Sequence, residues 1–423
     1  MLSEKMFIPI SIGNFCIFVT YTLPVAFFPA IAKSKGCGEG IIGLIFSFLP
    51  IGGLLTSYLV GAYGPFVKRS YLIISFSLMQ SLSLIAFALL EYIPDFANFL
   101  TVAIVSRIVQ GFALGGLATI IYGYVPTYYP NDIQKKVSLL EFICGISMTI
   151  GVNIGQVLFN LGGYGLPFYV ISALTFISFM ILLLFLPGGA ISMKEVTPLR
   201  KGPFLKNFSF CIITLGIVAT QAGKSFVSTT LTIHLESFDN GTDYVGIAFL
   251  LLTTSFAIMN LVFVFIRAQF SRRLLILVGL ALQAFSMEFI PPEEIIFGEN
   301  KQIWILLTGL GMLGGFSNLC FQPSMPELID IGCTISNDDT LLVNDFVSGV
   351  FTAGNLMAEA FGPIVGGYLF QYFGIRVTCL CFMGFYFMVF TLYAGLGRSY
   401  TLTERKASVL AAQLLDPAIP KNF

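Results

Sequence analysis

Residues 151–159, with the sequence GVNIGQVLF, recur as residues 362–370, with the sequence GPIVGGYLF. Both stretches hold glycines four residues apart and end in Leu-Phe, and they start 211 residues apart in a chain of 423. Residues 114–116 and 313–315, both Leu-Gly-Gly, form a second, weaker pair. Glycines at this spacing let any two membrane helices pack closely, but the half-chain offset and the shared Leu-Phe favour two homologous halves.

The composition indicates a membrane protein. Apolar residues make up 56% of the chain and charged residues only 10%, whereas a soluble protein carries about 25% charged residues. The 22 basic and 22 acidic residues cancel, which argues against a polyanion-binding surface and a nucleic-acid partner. A single histidine, eight cysteines without a Cys-x-x-Cys pair, and no P-loop or Gly-x-Ser-x-Gly motif predict no metal site, no cofactor and no enzyme.

Twelve stretches are apolar and long enough to cross the hydrocarbon core, which takes about 20 residues per helix. The sequence predicts an all-α membrane protein of two pseudo-symmetric six-helix bundles, residues 1–187 and 208–396. A cytoplasmic loop, 188–207, separates the bundles, and a cytoplasmic tail, 397–423, follows them. The predicted spans are 6–32, 41–63, 70–91, 99–124, 138–161, 165–187, 208–233, 243–266, 272–291, 303–323, 346–371 and 375–396.

Lysine and arginine are distributed unevenly over the predicted loops. If the N-terminus is cytoplasmic, 16 of the 22 basic residues fall on inner segments and four on outer loops. Because basic loops stay on the cytoplasmic side, both termini are predicted to be cytoplasmic. The plasma membrane and an internal vesicle membrane fit this pattern equally well. The inner basic residues that could also latch a gate are Lys68, Arg69, Arg272 and Arg273, and the acidic residues of an inner loop that could pair with them are Glu327, Asp330, Asp338 and Asp339.

Two motifs resemble those of the major facilitator superfamily of secondary transporters. RIVQG, residues 107–111, resembles its fourth-helix motif, in which Gln-Gly follows an arginine by three residues. GPIVGG, residues 362–367, resembles its antiporter-associated motif. The resemblance covers nearly the whole chain and implies alternating access to a site between two six-helix halves. The motif positions of interest are Arg107, Gln110, Gly111, Gly151, Gly155, Gly362, Pro363 and Gly366.

Within the superfamily, residues 28–36, 42–46, 139–141 and 323–328 resemble the vesicular amine and polyamine transporters. This resemblance implies a monomeric antiporter that exchanges protons for an amine or polyamine cation across the bilayer.

The chain departs from these patterns at three places. Loop 61–69 keeps a basic pair but lacks the acid usual in the superfamily's gating loop, Val152 replaces a proline, and Asn14 stands in the first span instead of an acid. The missing acid motivates another hypothesis, a transporter-like protein that has lost transport and serves as a membrane receptor or assembly subunit.

Polar side chains form stripes on three of the apolar stretches. In the eleventh they follow one another at steps of three and four residues, which places them on one helical face. Since such a face avoids lipid, we expect these helices to enclose an aqueous cavity. The stripes are Asp345, Ser348, Thr352, Asn355 and Glu359; Gln221, Ser225, Ser228 and Thr232, beside Lys224; and Thr149, Asn153, Gln156 and Asn160.

Ionisable residues inside a span are site candidates because charge at the bilayer centre costs about 3 kcal/mol or more. Arg107 stays protonated, so it can hold a carboxylate of an organic anion or form a structural ion pair. Gln110 can orient the solute or bridge two helices.

Glu359 and Glu141 are the candidate proton carriers, because a carboxyl group in a medium of low dielectric constant can exchange protons near neutral pH. Glu141 lies near the cytoplasmic end of its span and fits a gate pair equally well. Lys224 can complement Glu359, bind an organic anion together with Arg107, or replace a sodium ion or proton by its own charge. The set predicted to bind or couple is Arg107, Gln110, Glu141, Asn153, Gln221, Lys224, Asn355 and Glu359.

Overall fold

The computed structural model describes residues 2–25, 27–185, 199–235, 238, 244–265, 271–291, 303–336 and 340–396. Twelve long helices account for most of this part of the chain, and it contains no strand. They are α1 (Leu2–Thr22), α2 (Glu39–Tyr63), α3 (Arg69–Ala88), α4 (Phe96–Tyr128), α5 (Ile133–Gly162), α6 (Gly165–Phe185), α7 (Phe208–Leu235), α8 (Val245–Phe265), α9 (Arg272–Ser286), α10 (Ile303–Ile335), α11 (340–373) and α12 (375–396).

Within the described ranges, nine continuous helical stretches are long and apolar enough to cross a membrane, and one of them comprises both α11 and α12. Helix α1 has a shorter apolar stretch, Phe7–Thr22, and α9 has only 15 residues. The predicted all-α fold of twelve helices is confirmed. We call the side on which α1 begins and α12 ends the terminal side, and the opposite side the far side.

The first predicted span, 6–32, is wrong at its end. Helix α1 stops at Thr22, and a separate short helix runs from Phe28 to Ser34. Pro24 and Pro29 fall in this region, and a proline lacks the backbone N–H that continues a helix. Pro29 instead occupies the first turn of the short helix, where a missing N–H costs nothing.

The tenth predicted span, 303–323, ends too early. Helix α10 continues through Pro323 and Pro326 to Ile335. Both prolines are buried, and neighbouring helices stabilise such interrupted segments inside a bundle. Glu327 and Asp330, predicted on an inner loop, therefore lie on a helix and are buried.

The two halves repeat each other in backbone detail. Gly163 follows α5 with φ of 75°, and Gly374 separates α11 from α12 with φ of 78°. Both values lie in the left-handed region that favours glycine. Gly163 and Gly374 are 211 residues apart, so the repeat seen in the glycine motifs extends to the turns that follow them.

Side-chain contacts repeat as well. The side-chain amide of Gln80 donates a hydrogen bond of 2.5 Å to the Thr20 hydroxyl, between α3 and α1. The amide of Gln283 lies 3.4 Å from the Thr220 hydroxyl, between α9 and α7. These equivalent contacts join equivalent helices in each bundle, as a duplicated six-helix unit requires.

The motif glycines lie where helices cross closely. A Cβ atom on Gly151 would lie 2.9 Å from the carbonyl oxygen of Val19 in α1, and one on Gly362 would lie 2.6 Å from that of Ala222 in α7. On Gly111 it would lie 2.0 Å from the carbonyl oxygen of Leu49 in α2. Gly155 and Gly366 are similarly close to α1 and α7, and Pro363 is half-buried inside α11.

The bundles meet on the terminal side. Helix α2 crosses α11 so closely that a Cβ atom on Gly61 would lie 2.7 Å from Cα of Gly349. Tyr58 packs on Phe346 with ring centroids 6.5 Å apart. Helix α5 approaches α8 at Gly145, where a Cβ atom would lie 3.5 Å from Cβ of Ala257.

We expect Gly111→Ala to destabilise the protein by about 1–3 kcal/mol, as overpacking of a filled interface does. The atom that a methyl group would meet belongs to the Leu49 backbone and cannot rotate away. Gly367→Ala is the matched control, because no atom lies within 4 Å of its added Cβ. Thermal unfolding in detergent measures the difference, and equal melting temperatures for both variants would contradict the packing argument.

Candidate functional site

Glu141 of α5 and Tyr122 of α4 form the first half of a central site. Glu141 is buried at 6% exposure and Tyr122 at 3%. The Tyr122 hydroxyl donates a short hydrogen bond to Oε1 of Glu141. Tyr122 lies well inside α4, and the tyrosine supplies the partner that a buried carboxyl group needs.

Glu359 of α11 forms the second half. The side-chain amide of Asn355 donates a hydrogen bond of 3.2 Å to Oε1 of Glu359 from one helical turn away. The hydroxyl of Tyr21, at the end of α1, lies near the same carboxyl group. Tyr21 and Glu359 belong to different bundles, so this contact closes part of the gap between them.

Lys224 of α7 is the cation of the site. Its Nζ lies 3.8 Å from the ring centroid of Phe256 in α8, a cation–π contact. The ammonium group is also within electrostatic range of both Glu359 and Glu141. Lys224 and Glu359, which were predicted to complement each other, therefore interact electrostatically without a direct contact. The direct contact of the Lys224 ammonium group is with the Phe256 ring.

An aromatic layer lies on the terminal side of these charges. The ring of Phe351 in α11 is 5.7 Å from that of Tyr122 and 4.8 Å from that of Phe321 in α10. Phe351 precedes Glu359 by two helical turns. The layer joins both bundles and separates the carboxyl groups from the terminal side.

Arg107 is 1% exposed and sandwiched between two rings. Its guanidinium carbon is 4.9 Å from the ring centroid of Phe46 and 4.7 Å from that of Phe87. Nη1 donates a hydrogen bond of 2.8 Å to the side-chain oxygen of Gln110, and Gln110 donates one of 3.1 Å to the backbone oxygen of Thr20. Arg107 and Gln110 thus brace the segment that carries Tyr21.

The remaining predicted site residues lie around this centre. Gln221 is buried one turn before Lys224. Asn153 is exposed and donates a hydrogen bond of 2.8 Å to the backbone oxygen of Thr149, on the face of α5 that continues from Glu141 at steps of four. Polar groups on that face are exposed only in the far half of the helix.

The aqueous cavity stays a prediction at this centre. One hollow among the described residues, of about 10 Å³, lies on the terminal side, beside Arg69, Thr119 and Asp345. The polar stripe of α5 is half-buried or exposed towards the far side, and such a face does not belong against lipid. We therefore infer that these side chains line a cleft that opens on the far side.

Of the predicted gate residues, Arg69 joins the two bundles. One of its guanidinium nitrogens lies 2.7 Å from both carboxylate oxygens of Asp345 at the start of α11. Both residues are 8% exposed, and the guanidinium also stacks on Tyr124 at 4.5 Å. Asp345 of the opposite bundle thus supplies Arg69 with the acidic partner that loop 61–69 lacks.

The other three predicted gate residues do not make this contact. Arg272 pairs with Asp330 and, at 3.8 Å, with Glu327, both of its own bundle. Arg273 donates a hydrogen bond of 2.7 Å to the backbone oxygen of Ala394 in α12. Lys68 is exposed, with its Nζ 5.5 Å from the ring centroid of Tyr71. Asp338 and Asp339 lie outside the described residues.

The sequence did not identify Tyr21, Phe256 or the role of Asp345 as a partner of Arg69. Tyr21 and Phe256 are aromatic residues among 61 tyrosines and phenylalanines, and no spacing distinguishes them. His234, which follows the predicted span 208–233, lies within α7 and is buried at 8% exposure, with Nε2 3.1 Å from the backbone oxygen of Ile290.

Twelve helices in two pseudo-symmetric bundles, with charged groups from both bundles at mid-depth, define a polytopic membrane protein of the secondary-transporter class. The sequence profile of the Major Facilitator Superfamily matches residues 10–330, and the chain belongs to that superfamily. It is a multi-pass membrane transporter of small solutes and not an enzyme.

Curated relatives include vesicular transporters. The chain is 25% identical over 381 residues to the mouse (Mus musculus) MFS-type transporter SLC18B1, covering 88% of this chain and 82% of the relative. It is 22% identical over 339 residues to the human (Homo sapiens) chromaffin granule amine transporter, covering 79% of this chain and 61% of the relative. The SLC18 family is thus the group of transporters to which this chain is related.

Solved structures share the fold. The human organic anion transporter MFSD10 (TETRAN) superposes with a TM-score of 0.72 at 16% identity, covering 92% of this chain and 99% of the other. The proton:xylose symporter XylE superposes with a TM-score of 0.75 at 12% identity, covering 96% and 98%. At these identities the likeness concerns the fold alone.

Proposed function

We propose that the protein exchanges protons for an organic amine by alternating access. The observation that carries this proposal is the pair of carboxyl groups, Glu141 and Glu359, one from each bundle, which accept hydrogen bonds from Tyr122 and Asn355 respectively. Acidic groups in a site between two bundles suit a cation. The relationship to the chromaffin granule amine transporter and other named amine transporters supports the choice of an amine.

The conformation supports alternating access. The Arg69–Asp345 pair and the aromatic layer of Tyr122, Phe321 and Phe351 close the terminal side, while polar groups are exposed on the far side. We infer that the bundles, 1–187 and 208–396, rock about this centre and open each side in turn. Residues 186–198 and 397–423, which include most of the predicted loop and the whole tail, lie outside the described residues.

We infer that the terminal side is cytoplasmic, because lysine and arginine concentrate on the segments of that side. The far side then faces a vesicle lumen or the cell exterior. In a vesicle with an acidic lumen, protons enter the open cleft and bind Glu359. A single protomer contains both halves of the site, so a monomer suffices for transport.

Coupling follows from competition for one carboxyl group. A protonated Glu359 is neutral and attracts no amine, whereas an ionised Glu359 holds an ammonium group as its counter-ion. If the bundles rearrange only when Glu359 is neutralised, each turnover carries either a proton or an amine. Arg107 and Gln110 act as positioning residues, because they brace the backbone at Thr20, beside Tyr21.

Tracer uptake into proteoliposomes tests the function. We expect radiolabelled phenethylamine to accumulate when the lumen is acidic, and to stop accumulating when an ionophore dissipates the pH gradient. Unlabelled amines should compete and carboxylates should not. Uptake that is indifferent to the gradient would contradict proton coupling.

Two other outcomes select the alternative hypotheses. Competition by carboxylates and not by amines would indicate an organic-anion carrier that uses Arg107 and Lys224. No flux of any tested solute, together with a fixed co-purifying protein, would indicate a receptor or assembly subunit. The burial of Arg107 between Phe46 and Phe87 leaves it poorly placed to contact an anion from the cleft.

A further inference from the structure

Three ionisable side chains at the centre lie within electrostatic range of one another, two of them acidic and one basic. Among the described residues of the site, Glu141 and Glu359 supply two negative charges and Lys224 supplies one positive charge. Arg107 is set apart from them by its aromatic sandwich and its bond to Gln110. The Lys224 ammonium group therefore already balances one of the two carboxylate charges that attract a cation.

The contacts between helices place the segment that carries Lys224 beside the segments that carry the two carboxyl groups. Helix α7 crosses α11 closely at Ala222, where a Cβ on Gly362 would lie 2.6 Å from the Ala222 carbonyl oxygen. Ala222 precedes Lys224 by half a turn, and Gly362 follows Glu359 by less than one. On the other side, the Phe256 ring beneath the ammonium group packs 3.7 Å from the Cβ position of Gly145, one turn after Glu141.

We propose that Lys224 is a tethered cation that sets the charge of the substrate: with Lys224 present the site accepts an amine of one positive charge, and without it a diamine of two. This inference rests on the proposed amine transport. It makes Lys224 a specificity-determining residue that occupies the place of a second substrate ammonium group.

The physical reason is the cost of excess charge in a desolvated site. A diamine bound beside Lys224 would bring three positive charges to two carboxylates and leave one unbalanced, which is unfavourable in a medium of low dielectric constant. A monoamine beside Lys224 balances both carboxylates. Rejection by an unpaired like charge is an effective way to discriminate between related ligands.

The aromatic ring beside Lys224 supports the inference that the lysine occupies the position of a second substrate ammonium group. The Lys224 ammonium lies on the Phe256 ring at 3.8 Å. The rings of Tyr122, Phe321 and Phe351 are at most 3% exposed and close the terminal side of the site. Removal of the lysine charge leaves the Phe256 ring free to hold the second ammonium group of a diamine by a cation–π contact.

The test compares two amines in wild-type protein and in Lys224→Met, which keeps an unbranched side chain only one atom shorter and removes its charge. Initial uptake rates of phenethylamine and 1,4-diaminobutane are measured in proteoliposomes with an acidic lumen. We expect the wild type to favour the monoamine, and the ratio of monoamine to diamine uptake to fall at least about tenfold in the variant, equivalent to 1.4 kcal/mol.

Lys136→Met is the matched control. Lys136 also lies on an aromatic ring, with Nζ 4.3 Å from the centroid of Phe7, but it is in the first turn of α5, on the terminal side. Its replacement should leave the ratio unchanged, and Lys224→Arg should retain the wild-type preference. If Lys224→Met does not fold, Lys224→Gln is measured in the same way.

An unchanged ratio in a transporting Lys224 variant would overturn the inference and leave the proposed amine transport intact. A wild-type protein that already prefers 1,4-diaminobutane would also overturn it. By contrast, a wild-type protein that transports neither amine would refute the proposed function itself.

Discussion

Glu359→Gln is expected to abolish amine uptake driven by a pH gradient, with a loss of about a hundredfold or more, as when a required proton-transfer group is removed. Glutamine has the shape of the glutamate side chain and can still accept the hydrogen bond from Asn355. It cannot ionise, so it neither holds an ammonium group nor carries a proton. Tracer uptake with an acidic lumen measures the loss.

Two controls separate this effect from misfolding. Glu91→Gln removes an exposed acid of the far side and should transport as the wild type does. Glu359→Asp keeps the ionisable group and should retain dependence on the gradient at a reduced rate. A folded Glu359→Gln protein with wild-type, gradient-dependent uptake would remove Glu359 from the mechanism.

The helices could be predicted because their signal is local. A run of about 20 apolar residues needs no partner to be recognised, and the glycine repeat fixes the relation between α5 and α11 within the sequence itself. The first and tenth predicted spans were wrong at their ends, and both ends lie near prolines. Helix α1 ends before Pro24, whereas α10 continues through Pro323 and Pro326. Burial in a bundle decides between these outcomes, and burial is not a local property.

The site could be predicted only in part, for the same reason. Glu141, Lys224 and Glu359 stand out because ionisable residues are rare in apolar helices. Their partners do not: Tyr21 and Phe256 are ordinary aromatic residues until the fold sets them beside a charge. The Arg69–Asp345 pair joins residues 276 positions apart, and no spacing rule connects the two.

Asp345→Asn is expected to open the terminal side. Removing one partner of a buried ion pair costs about 3–5 kcal/mol. This free energy is lost only by the conformation in which Arg69 and Asp345 are in contact. The equilibrium should therefore shift towards the opposite conformation by about two orders of magnitude or more. Cys144, which is 5% exposed on α5 near Glu141, should then react with a membrane-impermeant maleimide added on the terminal side.

Peptide mapping identifies Cys144 among the eight cysteines, and Arg69→Asp combined with Asp345→Arg should restore protection by reversing the pair. The decisive comparison is Asp330→Asn. Arg272 begins α9 as Arg69 begins α3, but its partners Asp330 and Glu327 belong to its own bundle. Loss of that pair should lower the melting temperature without exposing Cys144. Equal labelling of Cys144 in both variants would mean that destabilisation alone admits the reagent, and the Arg69–Asp345 pair would then have no special role as a gate between the bundles.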